Sequence, residues 1–378
     1  MKLFYGDRIP EERCNLMGDV RIAIAGLGNC ASALIQGVHY YKDTKAEDEV
    51  PGLMHVDFGG YYPKDLKFVA AFEANRRKIG KDIAEAIWEK PNCCVPFYPD
   101  VPKIGVKVLP GPISDGVAPH MKDSFFVYDE NEIESVDVVE ELKRAKADML
   151  VSYLPVGSAE SSRFYAEAAL EAGIGFINAI PEFIVSNPED PIAKGFLAKG
   201  LPCAGDDIKS QLGATILHRV LAQLFDKRGL ILQNTYQLNI GGNTDFENMQ
   251  VEARLKSKRI SKTEAVTSCV DYELPTKIGP SDYVPFLEDN KVCYISMRSK
   301  AFGDLPINLD LKLSVQDSPN SAGVIIDVAR AVKIALDRGV GGELSSISSY
   351  SFKHPRYQID DFEARKHVDE YIEGKRER

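Results

Sequence analysis

Residues 20–38 constrain the fold more tightly than any other stretch. Val20–Ala25 (Val-Arg-Ile-Ala-Ile-Ala) reads as one short buried strand. It runs into Gly26-Leu27-Gly28-Asn29-Cys30-Ala31, and then into a segment whose apolar positions include Ala33, Leu34 and Val38. Strand, Gly-x-Gly-x-x-Ala, helix is the dinucleotide-binding fingerprint in its proper setting. Gly26 permits the tight turn, Gly28 lets the backbone approach a pyrophosphate, and small Ala31 allows the helix to sit close on the strand.

A second strand over Lys67–Phe72 ends at Glu73. An acidic residue at that strand end takes the ribose hydroxyls of NAD and repels the extra phosphate of NADP. Arg76, Arg77 and Lys78 follow and could hold a 2′-phosphate, but the acid favours NAD. The alternation continues with a helix over 79–89, a strand over Val106–Leu109 and a helix over 135–146. Next come a strand over Met149–Tyr153, a helix from about Ala159, and strands over Phe176–Ala179 and Pro202–Ala204. Repeated strand–helix units predict a parallel sheet covered on both faces, with ligands outside the carboxyl ends of its strands. The residues expected around the cofactor are Gly26, Gly28, Asn29, Cys30, Ala31, Glu73, Ser152, Pro155, Asn178, Asp206 and Ser210.

Beyond Arg228 the pattern changes. Leu230–Ile240, Val292–Met297 and Ile307–Val315 alternate hydrophobic and polar residues, as a sheet with one covered face does. A helix over Ala322–Asp337 suits packing back on the first domain. The expected fold is therefore α/β: a Rossmann-type NAD-binding domain (1–204), an inserted α+β catalytic and oligomerisation domain (205–315), and a returning C-terminal part (316–378).

A net charge of −10 argues against a nucleic-acid backbone as partner. The charged N-terminus does not read as a signal peptide and no apolar run spans a bilayer, so no membrane is expected. Seven scattered cysteines without a Cys-x-x-Cys pair fit a reduced, cytoplasmic protein rather than a zinc ribbon or thioredoxin-like site.

Residues 203–215 (Cys-Ala-Gly-Asp-Asp-Ile-Lys-Ser-Gln-Leu-Gly-Ala-Thr) carry the densest chemistry. Asp206, Asp207, Lys209 and Ser210 fall where a strand ends and a helix begins, and free N–H groups there favour an anion. A solvated turn with Ser210 as helix N-cap stays open as the alternative. No Gly-x-Ser-x-Gly elbow occurs, neither Cys30 nor Cys203 sits in a thioester-forming motif, and the six histidines form no metal-ligand pair. Lysines in turn-rich or basic sequence remain: Lys209, Lys262 and Lys353. Each could hold phosphate, stabilise an enolate or, with a lowered pKa, move a proton.

Six motifs in chain order resemble the myo-inositol-1-phosphate synthase family, its short bacterial branch above all. They are Gly-Leu-Gly-Asn-Cys-Ala-Ser, Pro-Gly-Leu-Met-His-Val, Val-Ser-Tyr-Leu-Pro-Val-Gly-Ser, Gly-Asp-Asp-Ile-Lys-Ser-Gln, Leu-Asn-Ile-Gly-Gly-Asn-Thr-Asp-Phe and Asp-Ser-Pro-Asn-Ser-Ala-Gly. The resemblance implies conversion of D-glucose 6-phosphate, a phosphorylated sugar, to inositol 1-phosphate, with NAD regenerated in each cycle, and a homotetramer built through the second domain's sheet. It implies that Lys209, Lys262 and Lys353 are active-site lysines and that Asp245 and Asp282 border substrate and nicotinamide. A divalent cation near the phosphates would draw on Asp206, Asp207 and Asp245. The chain departs from the family in lacking the second lysine that eukaryotic forms carry soon after the counterpart of Lys209, and in having Glu73 where the bacterial pattern has Asp. Two other classes compete: a two-domain NAD(P)-dependent dehydrogenase of the homoserine or aspartate-semialdehyde type, and a non-catalytic NAD-binding sensor.

Overall fold

The computed structural model describes residues 18–378, so the charged N-terminal tail and Cys14 lie outside the described residues. Strand β1 (Val20–Ala25) feeds helix α1 (Asn29–Tyr40), and β2 (Leu66–Glu73) follows after the irregular stretch. Then come α2 (Ile83–Ala86), β3 (Val108–Pro110), α3 (Val138–Arg144), β4 (Met149–Ser152), α4 (Ala159–Ala172), β5 (Gly175–Asn178), α5 (Pro191–Ala198) and β6 (Pro202–Ala204). The helix expected over 79–89 is one short turn, because Gly80 takes φ +80° and Asp82 caps α2 only at Ala84 N.

Six of these strands and a late seventh form one parallel sheet in the order β11-β6-β5-β4-β1-β2-β3. The strand order reverses about β1, and such a reversal opens a crevice at the carboxyl ends of β1 and β4. One face of the sheet packs on α1 and α9 through Ile22, Ile24, Leu34, Ile35, Ile325 and Val328; the other packs through Phe72, Leu142, Tyr165 and Phe196.

Between β6 and β11 the chain builds a second layer. Helix α6 (Ala214–Lys227), β7 (Ile231–Gly241), α7 (Thr244–Asn248), α8 (Glu252–Thr267), β8 (Thr276–Tyr283), β9 (Asn290–Lys300) and β10 (Pro306–Gln316) succeed one another. The four strands form a mixed sheet in the order β10-β9-β7-β8, with β7 and β8 parallel and the other pairs antiparallel. Strand β8 escapes the sequence pattern because Gly279-Pro280 interrupts its alternation. Helix α9 (Asp317–Arg338) begins five residues before the expected Ala322, with Ser318-Pro319 in its first turn, where a missing N–H costs nothing. β11 (Gly342–Glu343), α10 (Ser345–Ser351) and α11 (Asp361–Ile372) complete the chain. Because α9 starts at the end of β10 and then packs on α1, it joins the second sheet to the cofactor loop.

Candidate active site

The crevice at the carboxyl ends of β1 and β4 is one continuous cavity that also reaches α6, α7, α8 and the start of α9. Its dinucleotide end is built by the turn after β1. Gly26 has φ +88°, and a Cβ there would stand 2.7 Å from the Tyr153 carbonyl oxygen, so glycine is required on both counts. Gly28 lines the cavity with nothing within 4 Å of where its Cβ would be, which leaves the backbone open to a close-lying pyrophosphate. These residues fit NAD. Asn29 and Cys30 also line the cavity, whereas Ala31 is fully buried between helix and sheet.

Glu73 faces the same cavity, and its carboxylate accepts from Leu27 N (3.0 Å), Ala74 N (2.8 Å) and Asn75 N (3.2 Å). Pro155 and Ser210 line the cavity as expected residues of the cofactor set. Besides Ala31, three members of that set do not. Ser152 and Asn178 end their strands fully buried, and the wall is formed by their successors Tyr153, Leu154, Ala179 and Ile180. Asp206 is buried behind the wall in a cage of donors: Asn178 Nδ2 (2.7 Å), Val185 N (3.1 Å), Ser186 N (2.9 Å) and Ser186 Oγ (2.8 Å). Burial pushes its carboxyl up to about 7, against those hydrogen bonds.

The substrate end holds four lysines. Lys262 and Lys353 line it together with Lys258 and Lys291, which sequence reasoning missed. Lys258 precedes Lys262 by four residues on α8, so both project from one helix face. That spacing was visible in the basic segment and was the available signal; Lys291, one residue into β9, gave none.

Three of the four ammoniums have a carboxylate. Lys353 Nζ donates to Asp207 Oδ1 (2.6 Å) and to the Ile208 carbonyl (2.6 Å), while Ser261 Oγ donates to Asp207 Oδ2 (2.6 Å). Lys291 Nζ donates to Asp317 Oδ1 at 3.0 Å, and Lys258 pairs with Asp245. Burial works against both charges of the Lys291–Asp317 pair, yet each partner holds the other ionised: Lys291 is raised and Asp317 lowered from its ordinary pKa. Lys262 differs. It is 6% exposed and, among the described residues, has no hydrogen-bond or ion-pair partner. Burial first, and then the charges of Lys258, Lys291 and Lys353, push its pKa well below the ordinary lysine value. An amine of this kind can accept a proton while its neighbours steady an oxyanion.

Lys209 and Asp282 stand apart from this cluster. Helix α6 starts only at Ala214, capped by Gly213, and Lys209 turns away from the cavity instead of meeting an anion at the helix start. Its Nζ donates to the Ser349 carbonyl (2.9 Å) and to Asp361 Oδ1 (2.9 Å), and Arg219 Nε donates to the other oxygen of Asp361 at 2.7 Å. Asp282 is exposed on β8 outside the cavity. The carboxylates considered for a divalent cation do not converge: Asp206 is caged, Asp207 serves Lys353 and Ser261, and Asp245 serves Lys258. Among the described residues no group of three or more His, Cys, Asp or Glu could hold a metal.

Residues 213–318, which include α6 to the start of α9, match the myo-inositol-1-phosphate synthase family. An inositol-3-phosphate synthase of Corynebacterium glutamicum is 52% identical over 93% of this chain and 98% of its own. The Mycobacterium tuberculosis (strain H37Rv) protein of the same name is 52% identical over 94% of this chain and 96% of its own. Among solved structures, Ari2 superposes with a TM-score of 0.76 at 33% identity, covering 94% of this chain and 99% of that one. A myo-inositol-1-phosphate synthase-related protein from Thermotoga maritima shares the fold with a TM-score of 0.77 at 23% identity, covering 94% and 98%. Near-complete coverage at 52% identity, joined to the glycine turn and the lysine cluster, settles the relationship: the chain belongs to the inositol-3-phosphate synthase family.

Proposed function

We propose that this chain is an inositol-3-phosphate synthase that isomerises D-glucose 6-phosphate, using NAD without net consumption. The observation that carries the reading is Lys262, a buried lysine with no partner beside three lysines that each have one. NAD, held along the glycine turn by Gly26, Gly28 and Glu73, would supply the acceptor for the C5 hydride and the donor that restores it. The C5 ketone acidifies the protons on C6, and neutral Lys262 takes one of them. The enolate carbon then attacks the C1 aldehyde and closes the ring. Negative charge appears first on the C5 oxygen and then on the C1 oxygen, within reach of cations that Asp207, Asp245 and Asp317 hold in place. Fixed charge in a water-poor site needs little reorganisation as the reaction proceeds, which is why lysines rather than a nucleophile suit this chemistry.

Residues 18–204 and 316–378 form the dinucleotide-binding part in this reading, and 205–315 the catalytic part. The second sheet supports a homotetramer: its edge strand β10 carries half-exposed Leu309, Leu311 and Leu313 on one face, and Phe302 and Leu305 stand exposed at the β9–β10 turn. No described helix is long and apolar enough to cross a membrane, and we place the enzyme in the cytoplasm. The test is incubation with glucose 6-phosphate and NAD, followed by assay for a periodate-labile phosphate. Product without NADH accumulation is expected; steady NADH production would identify a simple dehydrogenase instead.

A further inference from the structure

Three successive cations follow the acidic end of β2, and in a related pocket Arg76, Arg77 and Lys78 would be natural ligands for a 2′-phosphate. In this structure each is engaged elsewhere. Lys78 is buried beneath the glycine turn, where its Nζ donates to the Leu27 carbonyl (2.7 Å) and to Asn92 Oδ1 (2.9 Å) and lies 3.5 Å from Glu73. The Arg77 guanidinium sits 4.2 Å above the Phe126 ring, and Arg76 pairs with Glu132 at 2.6 Å. Lys78 lines the cavity with its ammonium so engaged, whereas neither arginine lines it. One short ladder sets both contacts: Asn75 bridges Val127, Arg76 N donates to the Phe126 carbonyl (2.8 Å), and Tyr128 N donates to the Ala74 carbonyl (3.1 Å). Glu73 meanwhile is fixed facing the cavity by three backbone N–H groups.

We infer that the pocket selects NAD against NADP in two layers, with Glu73 repelling a 2′-phosphate and the 126–132 segment withdrawing the two arginines that could have neutralised it. The inference rests on the dinucleotide reading of the cavity and extends it to the choice between dinucleotides. A 2′-phosphate would bring nearly two negative charges against a fixed carboxylate with no free cation in reach. Specificity of this kind is a difference of affinities, and it is built here as much by disarming cations as by placing an acid.

The test measures Kd for NAD and for NADP by calorimetry on nucleotide-free protein. The variants are Glu73→Gln, the triple Glu73→Gln/Phe126→Ala/Glu132→Ala, and that triple with Arg77→Ala added. The wild type is expected to favour NAD by more than about 100-fold, Glu73→Gln to reduce that ratio about tenfold, and the triple to reduce it about fivefold further. Adding Arg77→Ala should cancel part of the last gain, which a general loosening of the pocket would not do. Thermal midpoints within a few degrees of wild type keep the comparison to folded protein. A wild type that binds both dinucleotides alike, or a ratio unmoved by Glu73→Gln, overturns the inference. A triple variant no better with NADP than Glu73→Gln overturns the role of the 126–132 segment. A wild type that binds neither dinucleotide overturns the cofactor reading beneath it.

Discussion

Replacing Asp361 with Asn tests whether Lys209 serves structure or chemistry. Asp361 is hydrogen-bonded by two buried cations, Lys209 and Arg219, which are 2% and 1% exposed. Asparagine keeps the shape and removes the charge, leaving an ammonium and a guanidinium to face each other out of water. Breaking one side of a buried pair costs about 3–5 kcal/mol. Lys209 can relieve part of this by losing its proton, since burial already lowers it to about 8 against the support of Asp361. A lysine whose folded pKa is depressed binds more protons when unfolded, so its contribution to stability rises with pH from the folded value up to the ordinary one. Without Asp361 that rise starts at lower pH. The difference between wild type and Asp361→Asn should therefore be larger at pH 7 than at pH 9.5. Urea unfolding at one fixed protein concentration, at both pH values, measures it. The double variant Lys209→Met/Asp361→Asn should recover at least about 1 kcal/mol at pH 7, because it removes one of the two stranded cations. A loss below about 1 kcal/mol for Asp361→Asn, or a double variant weaker than the single, would refute the buried triad as the reason for Lys209.

Three further outcomes follow from the cavity and one from the edge strand β10. Lys262→Met should lower kcat by at least about a thousandfold while calorimetry still shows NAD binding; activity within tenfold of wild type would remove Lys262 as the base. The acid limb of the kcat/KM profile should reflect Lys262 losing its proton, so activity rises with pH and levels off below the range of an ordinary lysine. In Lys258→Met, which deletes the largest of the neighbouring charges that help depress it, the limb should move to higher pH. Asp207→Asn should leave Lys353 and Ser261 without their shared acceptor and lower kcat about 10²-fold with little change in NAD affinity, read by steady-state kinetics. Leu311→Asp places a charge on the half-buried face of β10 and should reduce the particle mass measured by light scattering, an unchanged mass arguing against β10 as the assembly surface.

Much of the fold was legible because the chain obeys local rules where backbone geometry is demanding. The turn at Gly26–Gly28 needs glycine and shows it, and the strands at Met149, Gly175 and Pro202 are continuous short apolar runs, as buried parallel strands are. The site was less legible. Lys262 and Lys353 reach the cavity, but Lys209 shares its motif with Asp207 and Ser210 and points the opposite way. Adjacent residues in a tight turn diverge, and which one faces the ligand depends on contacts far along the chain, here at Ser349 and Asp361. Lys291 and Asp317 lie 26 residues apart and meet only because β9 and β10 are antiparallel neighbours that return the chain to its starting level. Such a pair has no signature in spacing. Lys258 did have one, four residues before Lys262, and it was hidden by the ordinary expectation that a basic run is a solvated face.

The balance of charge in the cavity explains why the unpaired group should be Lys262. At the substrate end four lysines face three aspartates, while Lys78 at the other end lies against Glu73, so one ammonium lacks a counter-charge before any ligand arrives. A buried, unpaired ammonium is costly, and the cheapest escape is to discharge the one farthest from a carboxylate partner. The site thus holds three ion pairs and one lysine whose pKa burial and the neighbouring ammoniums depress, the group suited to accept a proton in the proposed reaction. A sugar phosphate entering this cavity brings negative charge that the paired lysines can share only by loosening from their aspartates. That same charge raises the affinity of Lys262 for a proton at the moment one has to be taken from C6. Substrate binding and base strength are then coupled through one electrostatic field, so the acid limb of kcat, which reports the substrate complex, should lie at higher pH than the acid limb of kcat/KM, which reports the free protein; coincident limbs would refute the coupling.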